Sequence, residues 1–127
     1  DTLRTCLESI KKKCMYPSYE ILIIENNSTE EATFSYYKEL EAQGIRVLKY
    51  PKQGFNYSAI NNFGVKEAKG EYLLFLNNDM EIITPDFMEK MVSNLQRPQA
   101  IRMPIPTTST RILFICFFLP LFGRINL

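Results

Sequence analysis

The sequence predicts an α/β protein in which a parallel sheet lies between two layers of helices. Three observations lead there. Residues 20–25 and 72–76 are apolar runs without an internal polar break, the pattern of strands buried on both faces. Each run ends in a polar cluster, Asn26-Asn27-Ser28 or Asn77-Asn78-Asp79, before the next helical stretch. After an opening helix the order of patterns is β, α, β, α, β, α, which closes most simply as a three-layer α/β/α sandwich.

The opening helix spans residues 1–13. Leu3, Cys6, Leu7 and Ile10 recur at helical spacing and form one apolar face, and Lys11, Lys12 and Lys13 place positive charge at its C-terminal, negative end. The lysine run reads as a solvated helix end. A chain that opens on a helix, without Met or a preceding strand, looks like a segment of something longer. In a doubly wound sheet the first strand lies near the middle, so its loss is expected to leave its neighbours unpaired.

Pro17 ends the first helix, and Glu20-Ile21-Leu22-Ile23-Ile24-Glu25 is the first strand. Asn26 to Glu31 supplies helix-capping residue types with acidic side chains in the first turn, and the helix of residues 30–43 stops at Gly44. Residues 45–50 form a short strand ended by Pro51. A loop over 53–58 leads into a helix of residues 59–69 that is closed by Gly70. The strand 72–76 follows. Thr84 as N-cap and Pro85 at the first helical position then open a helix to about Gln96, with Phe87, Met88, Met91, Val92 and Leu95 facing inward.

From residue 97 the character changes. The segment 97–127 contains four of the seven prolines and no Asp, Glu or Lys, and all its charges are Arg, whereas residues 1–96 are net negative. This divides the chain into a folded part, 1–96, and a divergent tail, 97–127. Prolines at this density cannot supply a regular ladder of donors, so the tail from Ala100 to Leu127 is expected not to continue the fold. Its apolar block, 112–122, either packs onto the sheet face left open by the missing strand or stays exposed. The run is well short of the ~20 residues that span a bilayer. The abrupt compositional switch suggests a shifted reading frame or a gene-end artefact, with a membrane-surface anchor as the alternative.

Composition excludes several function classes. A chain of 127 residues with 46% apolar and 23% charged residues is long enough for one modest core, and a net charge of +1 gives no reason to expect nucleic acid as a partner. Three cysteines without CxxC spacing, and no histidine, support neither a disulfide framework nor a zinc site. A reducing cytosolic setting fits best. Histidine-dependent acid–base mechanisms are excluded within this chain, which leaves such work to carboxylates. Neither GxGxxG nor GxxxxGK[ST] occurs, so a dinucleotide or ATP loop has no support.

The polar tips mark where a ligand should bind, because open α/β sheets bind at the carboxyl ends of their strands. Asp79 there offers a hard oxygen donor to a divalent cation, although an Asn-Asn-Asp sequence by itself is more often a turn.

Three stretches together carry a family resemblance. They are Glu20 to Glu30, then Gly54-Phe55-Asn56-Tyr57-Ser58-Ala59-Ile60-Asn61-Asn62-Phe63-Gly64, then Gly70-Glu71-Tyr72-Leu73-Leu74-Phe75-Leu76-Asn77-Asn78-Asp79. In this order and separation they resemble the family 2 glycosyltransferases of GT-A fold, over about residues 1–96. The Leu-Asn-Asn-Asp form is similar to the subgroup that builds rhamnose-containing and other cell-surface polysaccharides.

The resemblance implies a nucleotide-diphospho-sugar transferase fold, here incomplete, and a reaction that transfers a sugar with inversion. It implies a UDP- or dTDP-sugar donor, Mg2+ or Mn2+ as cofactor, and a glycan or lipid-linked acceptor. It also implies a cytoplasmic location, with peripheral association at the inner face of the membrane. Glu25 stands where the family meets the uracil or thymine edge, while capping of the following helix by charge is an equally compatible role. Asn26 and Ser28 lie in the same turn, with N-capping as the alternative for Ser28. Asn56 and Asn62 match positions on the nucleotide side, against local turn and helix hydrogen bonding. Asn77-Asn78-Asp79 corresponds to the family's DXD-like motif, with Asn78 at the nucleotide and Asp79 at the metal.

Only one of those three residues is a carboxylate, which suits Mg2+ because that ion keeps waters and shares substrate phosphates. The family's general base comes from an acidic residue well beyond this motif, yet no Asp or Glu follows Glu89. The catalytic residue is therefore unassigned, and the expectation is a donor-binding portion without transfer activity of its own. The alternative is a non-catalytic remnant that keeps only the fold.

Overall fold

The computed structural model describes residues 2–95 in full and the backbone of residues 114–118. The elements are α1 (Thr2–Lys13), β1 (Glu20–Glu25), α2 (Glu31–Ala42), β2 (Arg46–Lys49), α3 (Tyr57–Glu67), β3 (Leu73–Asn77), α4 (Phe87–Leu95) and β4 (Phe114–Phe118). The four strands form one sheet in the order β2-β1-β4-β3, with every neighbouring pair parallel.

β1 shows why the architecture has three layers. Successive side chains on a strand point to opposite faces, and β1 is apolar on both. Ile21 and Ile23 enter a core with Leu3, Leu7 and Ile10 of α1, Tyr37 and Leu40 of α2, and Met88 and Val92 of α4. Leu22 and Ile24 enter a second core with Tyr50 and with Ile60 of α3. Leu22, Ile23 and Ile24 are each fully buried. Burying a side chain of this size contributes about 1.5–3 kcal/mol, so β1 is a strong apolar anchor of the fold.

The helix ends follow local chemistry. After α2, Gly44 adopts φ +83°. Its N–H bonds to the Glu41 carbonyl at 3.0 Å, while the Ile45 N–H bonds to the Leu40 carbonyl at 3.1 Å. This is a Schellman closure that any side chain at residue 44 would strain. At α3 the helix begins at Tyr57, two residues earlier than expected, because Asn56 caps it. It ends at Glu67, since Ala68 is already extended and Gly70 lies outside the helix.

Two other expectations are corrected. α4 begins at Phe87, beyond Thr84 and Pro85, and buries Phe87, Met88 and Val92. Met91 and Leu95 are instead substantially exposed. β3 is not covered on both faces as its apolar run predicts: it is an edge strand among the described residues, and Phe75 is 41% exposed. Leu74 and Leu76 pack toward α1 and α4, whereas on the opposite face, among the described residues, Leu73 joins the cluster around Ile60 and Phe75 stays exposed.

β4 fills the position expected to be empty. It pairs with β1 from Glu20↔Phe114 to Ile24↔Phe118, and with β3 from Leu73↔Phe114 to Asn77↔Phe118. The tail thus contributes a regular strand at the centre of the sheet, contrary to the expectation drawn from its prolines. Pro98, Pro104 and Pro106 precede the strand and Pro120 follows it, so no proline interrupts the N–H groups of residues 114–118. The expected boundary at 96/97 falls outside the described residues. Among the described residues no helix is long and apolar enough to cross a membrane.

Candidate functional site

The register of the sheet brings the two polar tips to one edge. Ile24 is level with Phe118, and Phe118 with Asn77, so β1 and β3 end together with β4 between them. Two strand spacings set the backbones of these ends about 10 Å apart. The carboxyl edge of the sheet therefore carries Glu25 at one point and the 77–79 turn at another.

Glu25 is the last residue of β1 and is almost fully buried. Its backbone carbonyl accepts from the Tyr50 N–H at 2.8 Å. Oε1 accepts the backbone N–H of Ser28 at 2.5 Å, while Oε2 is buried without a hydrogen-bond partner among the described residues. A buried carboxylate oxygen without a donor is costly to maintain, and such a group marks a place where a ligand or water supplies the missing bond. Glu25 closes the 25–28 turn through Ser28 and leaves one oxygen available.

Asn26 is buried beside it, and Asn27 takes φ 58°, a left-handed conformation that Asn tolerates better than most residues. The Asn27 amide donates to Asn26 Oδ1 at 3.1 Å and to the Gly54 carbonyl at 3.4 Å. This bond ties the 26–28 turn to the loop before α3, so the first and second sequence motifs meet. Ser28 is not the N-cap of α2, because the helix starts three residues later with Glu30 as its N-cap and no side-chain cap bond. The Ser28 hydroxyl instead lies 3.5 Å from the Tyr37 hydroxyl. Burial, with the Glu25 charge adding to it, raises the Tyr37 pKa against the opposing Ser28 contact, so Tyr37 is a neutral phenol.

Asn56 Oδ1 accepts the Ala59 N–H at 3.0 Å, which commits that oxygen to capping α3. Asn62 is exposed on α3. Its neighbour Asn61 has a buried Oδ1 without a partner among the described residues, a feature that sequence reasoning missed. The available signal was positional: Asn61 is adjacent to Ile60 and three residues before Gly64, both buried.

At the end of β3 the Met80 N–H bonds back to the Asn77 carbonyl at 3.4 Å, turning the chain. Asn78 is half-buried and Asp79 exposed. Asp79, Met80 and Glu81 line a cavity of about 200 Å3 with Thr2 and Thr5 of α1. The Cys6 thiol points to the Asn77 carbonyl at 3.9 Å. Burial first and the Asp79 charge second push Cys6 up to about 11, so it is an inert thiol.

Among the described residues no three His, Cys, Asp or Glu side chains cluster as a metal cage. Asp79 and Glu81 offer at most two carboxylates to one cavity. That donor set fits Mg2+ or Mn2+ sharing phosphate and water ligands, and does not fit a closed structural site. A second cavity of about 300 Å3, between β3 and α4, is lined among the described residues by Leu73, Leu74, Met91, Val92, Asn94 and Leu95, none of them ionisable. It offers packing surface but no acid–base chemistry.

The comparisons with known proteins agree with this geometry. The family model described as glycosyl transferase family 2 matches residues 1–109. The O-antigen biosynthesis protein RfbC of Myxococcus xanthus is 42% identical over 99 residues, covering 78% of this chain and 8% of that protein. The putative glycosyltransferase EpsH of Bacillus subtilis is 30% identical over 92 residues, 71% of this chain and 25% of the relative. Glycosyltransferase GlyA of Streptococcus pneumoniae is 30% identical over 98 residues, 77% of this chain and 14% of the relative. The chain thus spans a quarter or less of the length of these relatives. No solved structure matches. The matched family carries the GT-A nucleotide-sugar transferase fold, of which the parallel α/β sheet described above is a part. With the family model covering most of the chain and the two polar tips level at the carboxyl edge of that sheet, the chain belongs to glycosyl transferase family 2.

Proposed function

We propose that this chain is the donor-binding portion of a metal-dependent, inverting glycosyltransferase that takes a UDP- or dTDP-sugar. The observation that carries the reading is the placement of Glu25 and Asp79 at neighbouring points on one sheet edge, separated by β4. Glu25 Oε2 is an acceptor without a donor among the described residues, suited to the ring N–H of a uracil or thymine. Asp79, at the other point, would hold Mg2+ or Mn2+ against the diphosphate. Such an ion, when bound, offsets charge on the leaving nucleoside diphosphate. Asn26, Ser28 and Tyr37 shape the nucleoside side, and Asn78 borders the diphosphate side.

The acceptor in this reading is a glycan or lipid-linked hydroxyl, in keeping with the O-antigen role named for the Myxococcus relative. The reaction belongs at the cytoplasmic face of the membrane, reached by peripheral association. Titration calorimetry of UDP, dTDP and GDP, with and without Mn2+, tests the proposal. Mn2+-enhanced binding of UDP or dTDP over GDP is expected; equal weak binding of all three, indifferent to metal, would overturn it.

One observation favours a second reading, in which the chain binds donor but transfers nothing. Residues 90–127 contain no Asp or Glu, so within these residues no side-chain carboxylate can serve as acceptor base. Multiple-turnover transfer by the purified chain would exclude that reading.

A further inference from the structure

The segment that follows β3 has no strand partner of its own between Asn78 and Asp86, yet it carries Asp79. Its position is set from α1. Ser9 is buried in α1, and its hydroxyl makes two bonds: it donates to the Cys6 carbonyl at 2.8 Å and accepts the Ile82 backbone N–H at 2.9 Å. A buried N–H in an irregular segment requires an acceptor, and Ser9 is the one provided to Ile82. Three residues earlier on the same helix, the Cys6 thiol reaches the Asn77 carbonyl. Asp79 therefore lies between two attachments to α1, one before it at Asn77 and one after it at Ile82.

From this arrangement we propose that Ser9 is a positioning residue for the diphosphate and metal end of the site. The inference rests on the donor-binding reading and deepens it. The Cys6 contact is a weak thiol bond, so most of the constraint comes from the oxygen of Ser9. The donation to Cys6 orients the hydroxyl, leaving its lone pair directed at Ile82. A turn held at both ends has fewer conformations to lose when an ion and a diphosphate bind, so its affinity is not reduced by ordering Asp79 at that moment. The nucleoside turn at 25–28 is held by other bonds, those of Glu25 and Asn27, and does not depend on Ser9.

The test uses the full chain with Ser9→Ala, Ser9→Thr and the near-isosteric Ser9→Val. UDP binding is measured with and without Mn2+, and bound Mn2+ is counted by electron paramagnetic resonance. Amide exchange of Ile82 is followed in parallel. In Ser9→Ala and Ser9→Val the Mn2+-dependent part of the affinity should fall about fivefold, the scale of one hydrogen bond, with metal-free UDP binding unchanged and Ile82 exchange accelerated. Ser9→Thr should restore all three readouts. Full Mn2+ enhancement in folded Ser9→Val would overturn the positioning role alone. Unfolding of both Ser9→Ala and Ser9→Val, with Ser9→Thr normal, would also overturn it, by making Ser9 a folding residue. Absence of any Mn2+ effect in the unsubstituted chain would overturn the donor-binding reading and this role with it.

Discussion

The carboxylate of Glu25 accepts the backbone N–H of Ser28 through one oxygen and leaves the other buried without a partner among the described residues. The two oxygens therefore do different work. Glu25→Ala should remove both, weakening uridine and thymidine diphosphates more than bare pyrophosphate in competition titrations. It should also lower stability by about 1–2 kcal/mol, because the Ser28 N–H loses its acceptor. Glu25→Gln can still accept from Ser28 and should recover the stability. Equal losses for nucleotide and pyrophosphate would show that Glu25 serves only the turn.

Asp79 sits exposed at the far point of the same edge, facing the first turn of α1. Asp79→Ala should abolish the Mn2+-dependent increment of nucleotide affinity and leave thermal stability nearly unchanged, since an exposed carboxylate contributes little to folding. Calorimetry at fixed Mn2+ measures this. Retention of the full increment would place the ion elsewhere.

Asn56 has its side-chain oxygen committed to the Ala59 N–H. Asn56→Ala should cost about 1 kcal/mol in urea unfolding, the usual value of an N-cap, and Asn56→Asp should recover it. If Asn56→Ala instead leaves stability intact and weakens UDP binding, its amide acts on ligand rather than on the helix.

Cys6 supplies a pH dependence. Its thiol is raised from an ordinary 9.0 to about 11, chiefly by burial, so the folded state holds this proton more tightly than the unfolded chain does. The associated stability is complete below pH 9.0 and is lost as pH rises toward 11. Urea midpoints measured at pH 7, 9 and 10 should therefore decline less steeply in Cys6→Ala than in the unsubstituted chain. Cys14 and Tyr16, Tyr19, Tyr36 and Tyr37, whose pKa values are also raised, contribute to the residual slope. Parallel slopes would mean that Cys6 ionises equally in both states.

β1 and β3 do not pair with one another; β4 joins them. Removing residues 111–127 should split the sheet and abolish a cooperative thermal transition. Differential scanning calorimetry decides the matter, and an unchanged transition would show that the central strand is dispensable.

Much of this was legible in the chain itself. The apolar runs 20–25 and 72–76, the polar tips behind them, the Gly44 stop and the βα alternation are local patterns, and local sterics and periodicity were enough to place β1, α2 and β3 within a residue or two. The grouping of Glu25, Asn26 and Ser28 followed from adjacency in one turn. What sequence could not decide was which element lies beside which. That β4 comes from the tail and lies between β1 and β3, that β3 is an edge strand among the described residues, and that Ser9 reaches Ile82 across the chain are all consequences of long-range packing. The physical reason is that a strand's neighbours and a buried donor's acceptor are chosen by global burial and hydrogen-bond satisfaction. Residues far apart in sequence meet those demands together, so only the tertiary structure could say that Asp79 is held from α1 while Glu25 is held within its own turn.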